Sequence, residues 1–163
     1  MSTEPKEKNA TAMTLPITIH AQYIKDFSFE NPSPITSFTN ENHAQPNISV
    51  SIQAKADNLG GRNFEVVLDI RIDATRDGNS LFVTELSYAG IISLGESVAE
   101  EDAGPLLMIE SPRLLFPFAR NILADVTRDG GFPPLMLAPV DFAALYEQQK
   151  NQELKDGKSG SKE

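Results

Sequence analysis

The chain has no cysteine among its 163 residues. That excludes disulfides, thiolate metal sites and a cysteine nucleophile, and it is compatible with a reducing cytosol. Histidine is nearly missing as well. His20 sits in an alternating stretch and His43 in a polar connection, neither with partners at metal-ligand spacing. There is no glycine-rich phosphate loop and no nucleophile elbow. No run approaches ~20 apolar residues, so no direct membrane insertion is expected. The opening residues MSTEPKEKNATAM lack the apolar core of a secretory signal. Excess positive charge is absent too. A net charge of -9 and a pI near 4.7 exclude nucleic-acid phosphates and anionic membranes as natural partners. They favour basic partners, and they also serve solubility.

What is present fits one domain with one core. Residues 1–12 are expected to be a disordered N-terminus. Leu15, Ile17, Ile19, Ala21 and Tyr23 then alternate with polar residues, as in a half-buried strand. Pro16 marks an edge or a strand start. Alternation resumes at Phe27 and Phe29 after a break at Ile24-Lys25 that a bulge can absorb. The run Asn31-Pro32-Ser33-Pro34 ends the strand, and residues 35–46 read as an irregular connection. Ile48, Val50, Ile52 and Ala54 form a second alternating set. Phe64, Val66, Leu68, Ile70 and Ile72 form a third, after a turn at residues 57–61. Arg76-Asp77-Gly78-Asn79 is a hairpin signal. The fourth strand, residues 81–94, is apolar on both faces. A four-stranded antiparallel meander with helices on one side would leave its other side needing a partner, and another copy of the chain is expected there.

An acidic turn ending at Asp102 and a short apolar segment, residues 105–110, follow. Ser111-Pro112 reads as a helix start. Leu115, Phe118, Ala119, Ile122 and Val126 recur at helical spacing, while Arg113, Arg120, Asn121, Thr127 and Arg128 fall on the other side. Pro117 should loosen the first turns, and Gly130-Gly131 should end the helix. The next nine residues, FPPLMLAPV, form an apolar loop stiffened by three prolines. Loops are normally polar, because their backbone needs water. This one is either a buried connector or the cover of something apolar. Asp141 then caps a second helix carrying Phe142, Leu145 and Tyr146. Residues 149–163 are expected to be a flexible polar tail. Asp26 and Glu30 share a strand face with Ser28, an arrangement that suits solvated charge or a recognition patch better than a catalytic pair. Chemistry alone reaches an acidic, oligomeric α+β protein without a reaction centre.

Two segments go further. LLFPFARNILADVTRDGGFPPLMLAPVDFAALY closely resembles the C-terminal half of the SecB family of bacterial protein-export chaperones, and YIKDFSFENP is similar to that family's opening signature. LFVTELSYAGI with its acidic turn matches the family's fourth strand. The resemblance covers roughly residues 13–148, in order. It implies four antiparallel strands with the C-terminal helices packed on one face. It also implies a cytoplasmic homotetramer, built as a dimer of dimers. The family's activity is ATP-independent and non-enzymatic: it keeps precursor proteins unfolded and delivers them to the SecA motor. No cofactor is implied, and zinc would belong to the basic SecA tail.

By the same resemblance the SecA-docking positions are Asp26, Glu30, Val83 and Glu85, with valine where the family often has leucine. The client groove would be bordered by Phe132, Leu135, Met136, Leu137, Val140, Leu145 and Tyr146. Thr84, Leu86 and Tyr88 match positions near the dimer–dimer contact, Tyr88 being bulkier than the family's frequent polar residue. Three other readings are a SecB-like chaperone dedicated to one client such as an antitoxin, a structural adaptor, and a small-molecule carrier.

Overall fold

The computed structural model describes residues 15–41 and 44–159. The expected disordered segment 1–12 and His43 lie outside them. Alternating apolar residues build four long strands: β1 (Ile17–Glu30), β2 (Asn47–Gly60), β3 (Asn63–Arg76) and β4 (Asn79–Leu94). Hairpins join β2 to β3 and β3 to β4. At the second, Asp77 and Gly78 have φ of 50° and 77°. Positive φ at both central residues gives a turn whose twist matches that of the flanking strands. At the first, the side chain of Asn58 accepts from Gly60 N at 2.8 Å and donates to Gly61 O at 3.1 Å.

The sheet is antiparallel, in the order β1-β4-β3-β2. It is therefore not the expected meander. The connection after β1 is too long for a hairpin and carries the chain across the sheet, leaving β1 beside β4 in a Greek-key order. Both β1 and β2 are edge strands, as Pro16 suggests for β1. The register of β1 on β4 shifts between Ile24 and Asp26, where the sequence breaks phase, and again between Ile19 and Ala21.

The connection itself is not wholly irregular. Pro34–Thr39 forms a helical turn, α1, with proline in its first turn and Phe38 packed on Phe132 at 5.2 Å between ring centroids. An apolar partner from the far end of the chain makes this short helix worth forming.

The C-terminal helices differ most from the sequence reading. Ser111 is not a cap. Residues Glu100 to Asp129 are helical throughout: α2 (Glu100–Pro105), a π-helical stretch (Leu106–Glu110) and α3 (Ser111–Asp129). Ser111 has helical φ and ψ, and its N–H and its hydroxyl both donate to Leu106 O, the hydroxyl at 2.8 Å. Pro112 has no N–H for the carbonyl four residues back, and a widened turn accommodates the missing donor. The buried face of α3 carries Leu115, Phe116, Ala119, Leu123, Ala124 and Thr127. Phe118, expected in the core, is 52% exposed, and Thr127, expected outside, is fully buried. The face is set by tertiary partners: Phe116 meets Phe142 edge-on at 5.7 Å, and Thr127 bonds the following loop.

Gly131, with φ of 93°, ends α3. A side chain at Gly130 or Gly131 would strike the rings of Phe29 and Phe38. Asp141 caps α4 (Phe142–Ser159), accepting from Ala144 N at 3.0 Å. The segment expected as a flexible tail continues this helix through Ser159. The core lies between the helices and the inner face of the sheet, centred on Leu68, Ile70, Ile72, Leu86, Ile92, Leu115, Leu123 and Phe142.

Candidate functional site

Each face of the sheet presents one surface. On the outer face the register places Asp26, Ser28 and Glu30 of β1 opposite Ser87, Glu85 and Val83 of β4. Opposite residues of paired strands point to the same side, so Asp26, Glu30, Val83 and Glu85 form one patch. The row continues onto β3, where Asp69, Arg71 and Asp73 lie opposite Ser87, Glu85 and Val83. Asp26, Asp69, Arg71 and Glu85 line a shallow hollow of about 250 Å³. The sequence pattern did not single out Asp69, Arg71 or Asp73, because nothing in β3 alone shows which residues of β4 it faces.

Further along the same face, Val67 and Ala89 lie opposite one another and are fully buried. Tyr23 and Lys25 both bond Glu65, whose side chain is 16% exposed. The Lys25 ammonium, and then the Tyr23 hydroxyl, hold the Glu65 carboxyl below the usual carboxylate range. Its bond to Glu65, followed by burial, pushes Tyr23 up to about 12. The chain's own side chains thus close much of the second apolar face of β4, which the sequence assigned to another copy.

Thr84, Leu86 and Tyr88 offer no contact surface to a partner. They are 0%, 1% and 7% exposed, because they point inward beneath the helices rather than out of the protomer. Thr84 Oγ1 donates to Ser28 O at 2.8 Å, fixing β4 to β1.

The inner surface is apolar. Helices cover the central strands β3 and β4 and reach the edge strands only in part. Val50 of β2 is 42% exposed although it shares a strand face with buried Ala54, and Ile24 and Phe27 of β1 are open as well. Val50 and Ile52, the loop residues Leu137 to Val140, and Leu145 and Gln148 of α4 enclose an open groove of 590 Å³. Of the seven residues expected there, Leu137, Val140 and Leu145 line it. Met136 stands beside them in the chain, 62% exposed.

The other three do different work. Phe132 belongs to an aromatic series, Phe29–Phe82–Phe132–Phe38, with centroids 5.6, 4.9 and 5.2 Å apart. Leu135 is half-buried, and its N–H donates to Thr127 Oγ1 at 2.9 Å. The Tyr146 hydroxyl lies over Gly104, with Lys150 over the ring at 5.0 Å. The loop is thus pinned by Phe132, the Leu135 amide and buried Leu137, while Met136 remains outside. The loop is therefore a packed connector at some residues and exposed at others.

Gln149 controls one point of the β2 edge. Its Nε2 donates to Ala54 O at 2.9 Å, and its Oε1 accepts from Ala54 N at 3.5 Å. The carboxamide thus takes the place a neighbouring strand would take, and it holds α4 against the sheet. The sequence contains no signal for this, since Gln149 falls in its polar run.

Together these features define an α+β scaffold with two surfaces of opposite chemistry, one charged with a shallow hollow, the other apolar with an open groove. Among the described residues no cluster of metal-ligating side chains occurs, and no helix is long and apolar enough to cross a membrane. The family described as Preprotein translocase subunit SecB matches residues 9–153, and the chain belongs to this family of protein-export chaperones. The Protein-export protein SecB of Rhodospirillum centenum is 46% identical over 142 residues, covering 87% of this chain and 84% of that one. That of Afipia carboxidovorans is 52% identical over 130 residues, 80% of each. Among solved structures, a SecB-like chaperone of Mycobacterium tuberculosis, in complex with a peptide from an antitoxin, superposes with a TM-score of 0.60 at 14% identity. The match covers 77% of this chain and 91% of that one. At that identity the likeness shows the fold.

Proposed function

We propose that the chain is an ATP-independent holdase that keeps precursor proteins unfolded in the cytoplasm and passes them to SecA. The observation that carries this reading is the apolar groove between the β2 edge and the proline-stiffened loop. Unfolded segments present apolar side chains and unpaired backbone, and a groove beside a strand edge can take both. Binding the unfolded state shifts its population by mass action, so neither an enzymatic step nor a cofactor is needed.

The outer patch of Asp26, Glu30, Val83 and Glu85 is the proposed dock for the basic, zinc-bearing SecA tail. Its carboxylates attract the tail, and Val83 supplies an apolar contact. The proposed assembly is a homotetramer. It is supported by the exposed apolar side chains of Leu114 and Phe118 on α3 and of Ile24 and Phe27 on β1. Thr84, Leu86 and Tyr88 would serve it only by shaping the sheet from within. A tetramer carries 4 × (-9) = -36 formal charges, which makes its attraction for basic segments salt-dependent. A general export role is favoured over service to one antitoxin, because the relatives at 46% and 52% identity are named protein-export proteins.

The test is native mass spectrometry of the chain alone, with an unfolded precursor, and with a zinc-loaded SecA tail peptide. Tetramers binding both are expected. A monomer binding neither would sink the proposal.

A further inference from the structure

A cation stands among the acids that line the outer hollow. Arg71 of β3 lies in register with Glu85 of β4 and with Ser51 of β2. Its Nε and Nη2 donate to the two carboxylate oxygens of Asp73 at 2.8 and 3.0 Å, and its Nη1 donates to Glu85 Oε1. The planar fork thus grips Asp73 with two bonds and reaches across to the neighbouring strand. Asp69 is paired with Lys55 at 3.3 Å. Among the described residues no ion pair involves Asp26 or Glu30. The three carboxylates of the patch are therefore not equivalent. Two have no such partner, while Glu85 already holds a guanidinium.

We infer that Arg71 is a built-in counter-ion that sets how strongly the outer face holds a basic peptide. A lysine or arginine arriving at Glu85 has to displace the Arg71 fork, which then falls back on Asp73 alone. This rests on the docking reading of Asp26, Glu30, Val83 and Glu85.

The geometry suits such an exchange. The side chains of Arg71 and Glu85 are each half exposed, and ion pairs in water are weak enough to trade partners. Arg71 also lines the same hollow as Asp26, so its charge acts within a Debye length of ~8–10 Å on the carboxylates around it. A permanently bound cation at that position weakens the face for its partner and speeds release. An acidic platform used repeatedly needs release as much as capture.

The experiment measures binding of a zinc-loaded SecA tail peptide to the full-length protein, at low and high ionic strength, for wild type, Arg71→Gln, Arg71→Met and Arg71→Lys. Arg71→Gln and Arg71→Met are expected to bind roughly three- to fivefold more tightly at low salt, with a steeper loss of affinity as salt rises. Arg71→Lys, which keeps the charge, is expected to stay within about twofold of wild type on the same screening argument. Thermal unfolding of each variant checks that the fold is intact; the half-exposed site makes loss of fold in all three unexpected. Peptide binding that both neutral variants leave unchanged or weaken overturns this inference alone. If no protein, wild type included, binds the peptide, the docking reading falls and the inference falls with it.

Discussion

The outer and inner faces of the sheet share the same four strands but hold their surfaces in different ways. The outer face is built by register alone. Asp26, Glu30, Val83 and Glu85 come together because β1 lies antiparallel beside β4, and among the described residues no helix or loop is laid over them. The inner face is built by packing. Its groove exists because the helices and the loop cover the centre of the sheet and meet the β2 edge at Ala54 but not at Val50, which stays exposed. A register-built surface can lose its charge without losing the fold. A packing-built surface couples binding to stability. This suits a protein proposed to bind a motor by long-range attraction and clients by apolar contact.

The sharpest way to break that contrast is to reverse a charge outside and watch the inside. Glu85→Lys is expected to weaken SecA-tail binding by roughly 30-fold or more, about 2 kcal/mol, with client affinity unchanged in a holdase assay. Loss of both activities would mean that the faces are not independent. The reciprocal change is Met136→Ser, combined with a serine in place of Val140, which lines the groove, in a protein whose assembly is unchanged. Removing these apolar contacts is expected to lower client affinity about five- to tenfold while SecA-tail binding stays intact. Unchanged client affinity would remove the loop from the site.

Gln149→Ala tests the coupling of groove and fold. Losing the carboxamide that pairs Ala54 is expected to cost about 1 kcal/mol of stability and to speed hydrogen exchange at the Ala54 amide. Protection equal to wild type there would show that α4 does not guard the edge.

The smallest effect concerns pH and the outer face. Glu65 is held below the ordinary carboxylate range by Lys25 and Tyr23. The stability it contributes is present above the unfolded carboxylate's pKa and lost as pH falls through the lowered folded one. Glu65→Gln should therefore flatten the acid limb of a stability–pH profile. Tyr23 has the opposite sign. Its contribution is present below the ordinary value of 10.0 and lost as pH rises through about 12.

Much of this was legible in the chain. Strand alternation, the Asp77-Gly78 turn, the bulge at Ile24-Lys25 and the Asp141 cap all follow from local rules. These features depend on the backbone's own preferences and on a period of two. The misreadings share one cause. Ser111-Pro112 has the composition of a helix start, but α2 supplies turns before it and a π-helical stretch takes up the missing proline donor. Phe118 lies at helical spacing, yet the partner Phe142 turns a different stripe of α3 inward. Val50 keeps strand periodicity, but periodicity shows which face a residue is on, not whether a helix reaches far enough to cover it.

By itself the sequence determined the acidic charge, the absence of cysteine chemistry, the four strands, the apolar loop and, through the quoted motifs, the resemblance to the family. The tertiary structure alone decided that β1 lies beside β4 rather than β2, that Arg71 occupies Glu85, that Thr84, Leu86 and Tyr88 are interior, and that Gln149 caps the β2 edge. The physical reason is distance along the chain. Ala54 and Gln149 are 95 residues apart, and no local propensity specifies a contact made only when the whole sheet and its helices close together.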